Sequence, residues 1–105
     1  MFIHFVRFPS RLPHEEVQRL FEERAPRYRE VPGLLQKYYG YEPTSGAFCG
    51  CYVFDSEESR QAFRQRELAR SIPDIYEVEE VRVEGYEVFF PLYEEPRVAE
   101  QARHT

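Results

Sequence analysis

Six side chains of this 105-residue chain could do acid–base or anion-binding chemistry at spacings that allow them to meet. His4 is the one histidine on a predicted strand, and an imidazole titrates in the range that suits proton transfer. Tyr52 and Tyr39 fall on neighbouring predicted strands of one hairpin. A phenol offers an aromatic substrate a flat apolar face and a donating hydroxyl. Lys37 has the same strand parity as Tyr39, so both point to one face, where a cation would neutralise an enolate. Arg66 falls in the apolar stripe of a predicted helix, where an inward guanidinium would grip an anionic group. Tyr86 sits beside a suspected strand irregularity. His4 and Tyr52 are therefore the candidate catalytic pair, with Lys37, Tyr39, Arg66 and Tyr86 as candidate substrate-binding residues. Each also has a plainer reading: a core histidine, tyrosines packed on a sheet, cations in solvent or at a subunit contact.

Cys49-Gly50-Cys51 invites a redox or metal reading, and the spacing argues against both. On a strand the two thiols point to one face as i and i+2 neighbours, which is poor disulfide geometry. The spacing is not C-x-x-C, and no second cysteine pair or histidine cluster completes a zinc site. The expectation is two small apolar groups packed among aromatics. No glycine-rich nucleotide loop, hydrolase triad or metal constellation stands out, so no metal or cofactor is expected. The acidic runs Glu15-Glu16, Glu22-Glu23, Glu57-Glu58 and Glu94-Glu95 read as solvated faces and helix caps.

Positioning these residues requires a small single domain with a large aromatic content. The length leaves no room for two cores. Nine Phe and eight Tyr, with no Trp, make 16% of the chain aromatic, more than one small core needs. The net charge of -5 argues against a surface that neutralises phosphates, so no nucleic-acid partner is expected. No apolar run reaches the length of a membrane span. The N-terminal residues lack the pattern of a secretory signal, and a cytoplasmic protein is expected.

The elements follow from local patterns. Residues 2–8 form a β-rich run bounded by Pro9. Pro13-His14-Glu15-Glu16 opens a helix carrying Val17, Leu20, Phe21, Ala25 and Tyr28 at helical spacing, kinked or ended near Pro26. Residues 34–42 and 47–54 make a hairpin around the turn cluster 43–46. Asp55-Ser56-Glu57-Glu58 caps a second helix, with Ala62, Phe63, Arg66 and Ala69 along one side until Pro73. Residues 78–90 form the fourth strand, and its apolar residues change parity at Gly85, which predicts a β-bulge. The order β-α-β-β-α-β predicts an α+β ferredoxin-like sandwich with an antiparallel sheet over residues 1–92. Residues 93–105 are read as a polar tail or arm. Aromatics on both parities of the first three strands require cover on both faces, most simply a second copy in a two-fold homodimer.

An RNA-recognition motif shares the element order, but its stacking positions would fall on Cys49 and Cys51. A better match lies elsewhere. His4-Phe5, Pro32-Gly33-Leu34 with Lys37, the set Gly50, Tyr52, Phe54, Glu57, Ser59 and Ala62, and Val78-Glu79-Glu80-Val81 stand in the order of one family. Over most of residues 2–92 the chain resembles the YdhR-like mono-oxygenases of the dimeric α/β-barrel, antibiotic-biosynthesis mono-oxygenase-like superfamily. That resemblance implies a homodimer with facing sheets and an apolar pocket between sheet and helices in each subunit. It implies oxygenation of a small aromatic or enolisable compound without metal, flavin or haem. Related folds also include isomerases, lyases and non-catalytic small-molecule binders. The chain departs from better-characterised relatives, whose pocket uses a tryptophan and an asparagine: it contains neither. It also lacks the helix histidine of haem-degrading relatives.

Overall fold

The computed structural model describes residues 1–95. Residues 96–105, most of the expected tail, lie outside the described residues. Strand β1 (Phe2–Pro9) leads to helix α1 (His14–Arg29), the hairpin β2 (Leu34–Glu42) and β3 (Ala47–Phe54), three short helices and strand β4 (Arg82–Glu87). The sheet is antiparallel with order β2-β3-β1-β4. This is the expected ferredoxin-like α+β arrangement, with the helices on one face. The first three strands and the start of α1 fall within a residue or so of their predicted bounds.

Alternation of side chains divides the sheet into two different faces. His4, Val6, Phe8, Phe48, Tyr52 and Phe54 turn towards the helices and are buried. They pack with Val17 and Tyr28 of α1 and with Phe63, Leu68, Ile72 and Tyr76 from the later helices. Tyr52, Phe54 and Phe63 are almost wholly enclosed, and each contributes about 1.5–3 kcal/mol of burial. The opposite face carries Ile3, Phe5, Cys49, Cys51 and Val53, all partly exposed, with Tyr38 and Tyr86 more exposed still.

Four local expectations need correction. Helix α1 does not end at Pro26 but runs on to Arg29. The second helix is not one piece: α2 (Glu57–Arg64), α3 (Glu67–Arg70) and α4 (Ile72–Ile75) follow in succession. Phe63 and Leu68 are five residues apart, which no single helical face accommodates. An extended backbone at Arg66 resets the phase, so that Leu68, Ile72 and Tyr76 all turn inward. Pro73 lies in the first turn of α4, where its missing N–H costs nothing. Strand β4 starts at Arg82, leaving Val78–Val81 ahead of it.

Gly85 makes no bulge, since β1 and β4 pair in unbroken register from Phe2↔Glu87 to Arg7↔Arg82. The irregularity lies instead in β2, between Leu34 and Gln36. The parity change in β4 has another cause. Val83 serves the helix side opposite Val6, whereas Tyr86 serves the open side opposite Ile3.

Candidate functional site

Register brings three of the six candidate residues into a single row. Across the helix face run Lys37 on β2, Tyr52 on β3, His4 on β1 and Gly85 on β4, each the direct cross-strand partner of the next. Tyr39 is one step along β2 on the same face, its ring 4.2 Å from the Lys37 ammonium. The other two residues are elsewhere. Arg66 is exposed at the break between α2 and α3, so its helical stripe does not exist. Tyr86 lies on the open face, its hydroxyl donating to Glu84.

At the β4 end of the row, the inward arginine is Arg60. Its Nε donates to His4 Nδ1 at 2.8 Å, in a buried contact, and its guanidinium lies 5.3 Å from the Phe2 ring centroid. Gly85 makes this possible: a Cβ there would lie 2.4–2.7 Å from the guanidinium atoms. A guanidinium has no lone pair to offer. His4 Nδ1 is therefore the unprotonated nitrogen, and the proton sits on Nε2. Burial first, then the charges of Arg60, Arg64 and Lys37, lower the His4 pKa to about 4. His4 is thus a neutral imidazole whose basic nitrogen is already occupied and whose free nitrogen is a donor.

His4 lines an apolar cavity of about 180 Å³ with Val6, Phe63, Ile72, Val81 and Val83, and the charged side chains on its wall are Arg64 and Arg70. Nε2 makes no hydrogen bond and is not sealed from solvent. A neutral donor with cations around an apolar hollow can stabilise a developing oxyanion.

At the other end of the row, Tyr52 groups with Lys37 rather than with the His4 cavity. The Lys37 Nζ stands 3.4 Å from the Tyr28 ring centroid and 4.5 Å from that of Tyr52. Burial holds the Tyr52 hydroxyl well above the ordinary phenol range, and it lifts Tyr39 to about 12. Both remain protonated donors. The thiols of Cys49 and Cys51 are free and lie on the open face, away from this row. Gly50, between them, faces the helices, where a Cβ would meet the Tyr52 ring at 2.9 Å and the Lys37 stem at 3.3 Å. The small residue of this triplet that matters to the row is the glycine. Among the described residues no three His, Cys, Asp or Glu side chains gather to hold a metal ion. No helix among them is long and apolar enough to cross a membrane.

Sequence reasoning missed Arg60 and Arg24 as members of the interior, whereas Tyr28, expected in the apolar stripe of the first helix, is buried there. Arg60 could have been found from its place three residues before Phe63, on the same face of α2. Arg24 lies between Phe21 and Tyr28 in the α1 stripe and is likewise spaced for burial.

The family described as "Putative mono-oxygenase ydhR" matches residues 3–95. No curated protein matches the chain. Among solved structures, a "putative antibiotic biosynthesis monooxygenase" from Deinococcus radiodurans is 14% identical with TM-score 0.71, covering 91% of this chain and 100% of its own. SnoaB, described as a cofactor-independent oxygenase from Streptomyces nogalater, is 17% identical with TM-score 0.68, over 89% and 98%. A "dimeric ferredoxin-like protein of unknown function" from Thermobifida fusca is 13% identical with TM-score 0.65, over 84% and 92%. At these identities the structural likeness concerns the fold.

Proposed function

The chain belongs to the ydhR family, and from that premise we propose that it is a cofactor-independent mono-oxygenase of small aromatic or enolisable compounds, working as a homodimer. The observation that carries the reading is the neutral His4, its tautomer set by Arg60, facing an apolar cavity whose charged neighbours are cations. A phenol or enol bound there ionises more readily, because Arg60, Arg64 and Arg70 favour its anion. The proton leaves through the open mouth of the cavity, and His4 Nε2–H donates to the oxyanion. The carbanionic carbon then reacts with oxygen. For a methylene carbon, one oxygen atom becomes the new carbonyl and the other leaves as water, with the electrons supplied by the two C–H bonds. The protein's part is to bind, desolvate and hold the anion.

The homodimer reading rests on what one chain leaves bare. Ile3, Phe5, Val53 and Tyr38 form an apolar sheet face without helices. Beyond β4, Phe89, Phe90 and Leu92 are 96%, 77% and 83% exposed. Bare apolar surface of this kind marks an association site.

Oxygen consumption with a panel of anthrones and hydroxyquinones tests the activity. The expected result is uptake of one O2 per substrate, with label from ¹⁸O2 in the product. His4→Ala should lower kcat by about 10²–10³-fold, the usual cost of one oxyanion donor. Turnover without oxygen uptake would instead make the protein an isomerase or lyase. Binding without turnover would make it a small-molecule carrier.

A further inference from the structure

Lys37 is the only lysine in the sequence; every other basic side chain among its fourteen Lys and Arg residues is an arginine. The difference matters at a buried position. A guanidinium stays charged in any protein, whereas an amine can give up its proton and become a nucleophile. None of the ion pairs among the described residues involves Lys37. Its Nζ stands instead among the rings of Tyr28, Tyr39 and Tyr52, at 3.4, 4.2 and 4.5 Å from their centroids. The neighbouring ionic group that influences it is Arg24, of the same sign. Arg24 is itself buried, with Nε unpaired.

Two effects compete at Nζ. Three aromatic faces favour the ammonium by roughly 0.5–2 kcal/mol each. Removing that ammonium from water with no counterion costs more, up to 3–5 pKa units when burial is complete. Desolvation wins here, helped by Arg24, and lowers Lys37 to about 6.

The amine is also reachable. A cleft of about 360 Å³ along the β2 edge is lined by Lys37, Tyr28 and Tyr39 together with Ala25, Leu34 and Leu35. Nζ is not sealed from solvent. The cleft shares no lining residue with the His4 cavity, and Tyr52 stands between Lys37 and His4 in the cross-strand row.

We propose that Lys37 is a second reactive site of this protein, an amine that captures small aromatic aldehydes and ketones from the β2-edge cleft as imines. The Nζ lone pair attacks the carbonyl carbon, and the carbonyl oxygen takes a proton to give a carbinolamine. Loss of water then leaves the C=N bond, so no oxidant or reductant is needed. Tyr39, the more exposed phenol on the cleft wall, is the donor to the carbonyl oxygen, and the aromatic cage selects flat substrates. The site goes beyond the oxygenase reading and does not depend on it.

The test is reductive trapping. Folded protein is mixed with benzaldehyde and cyanoborohydride at pH 7, and the benzyl group is located by peptide mass. The same reaction in urea restores an ordinary lysine, and the Met1 α-amino group serves as internal reference. A free-amine fraction set by a pKa near 6 rather than 10.4 outweighs the weaker nucleophilicity of the less basic amine. Lys37 should label at least tenfold faster in the folded protein than in urea, with a pH midpoint near 6. Lys37→Arg should carry no adduct in its place. Labelling no faster than in urea, or a rate still climbing above pH 9, would mean a caged ammonium and overturn the proposal. Oxygen uptake is scored separately, so either reading can fail alone.

Discussion

At the scale of single residues, the most consequential contact is the one between Arg60 and His4. A histidine on a strand invites the role of base, yet the donor on its Nδ1 makes it an acid-side partner. The Arg60 charge contributes to the lowered pKa after burial. Arg60→Met should therefore raise the His4 midpoint above about 4 while leaving it below 6.5, measured by imidazole NMR titration. An unchanged midpoint would remove Arg60 from the account. Linkage follows with a definite sign. Between pH 6.5 and about 4 the unfolded chain binds a proton that folded His4 refuses. The associated stability is complete above pH 6.5 and lost as the pH falls towards 4, on the order of 2 kcal/mol. Urea midpoints at pH 7 and pH 5 should thus differ more for the wild type than for His4→Phe. Of the six residues singled out from sequence, four share the helix face because strand parity is a local property. Arg66 and Tyr86 do not, because their placement depended on a helix continuing and a strand bulging.

At the scale of elements, turn and cap chemistry was legible and helix continuity was not. Ser56 Oγ accepts from the Ser59 backbone N–H at 3.1 Å, the cap that the run Asp55-Ser56-Glu57-Glu58 announces. Ser56→Ala should cost about 1 kcal/mol in urea unfolding. Gly33 closes the turn into β2 at φ 80°, and a Cβ there would lie 2.2 Å from Ser59 Oγ. Gly33→Ala should therefore cost more than the cap substitution, combining left-handed backbone strain with a clash. Equal costs would show that the loop before β2 shifts freely. The break after Arg64 has no turn residue to announce it. It arises because Phe63 and Leu68 both seek the core.

At the scale of the whole molecule, the bare sheet face is the unfinished business of a single chain. Sedimentation at micromolar concentration should give about twice the 12.7 kDa chain mass. Val53→Glu, on the open face, should shift the mass towards a single chain, while the row of Lys37, Tyr52 and His4 on the helix face stays intact. A wild type that sediments at the mass of one folded chain would refute the homodimer.

By itself, the sequence determined the order of strands and helical segments, the bounds of three of the four strands and which side chains share a face, but not which face turns to the helices. Period-two alternation, helical spacing and turn residues act over a few neighbours and are written locally. Only the tertiary structure decided which charges turn inward. Arg60 is buried because Gly85, on a strand twenty-five residues further along, leaves room for it. The neighbours of Lys37 likewise come from three separate elements. Whether a cation is solvated or enclosed depends on the space and charge around it, and distant segments supply both.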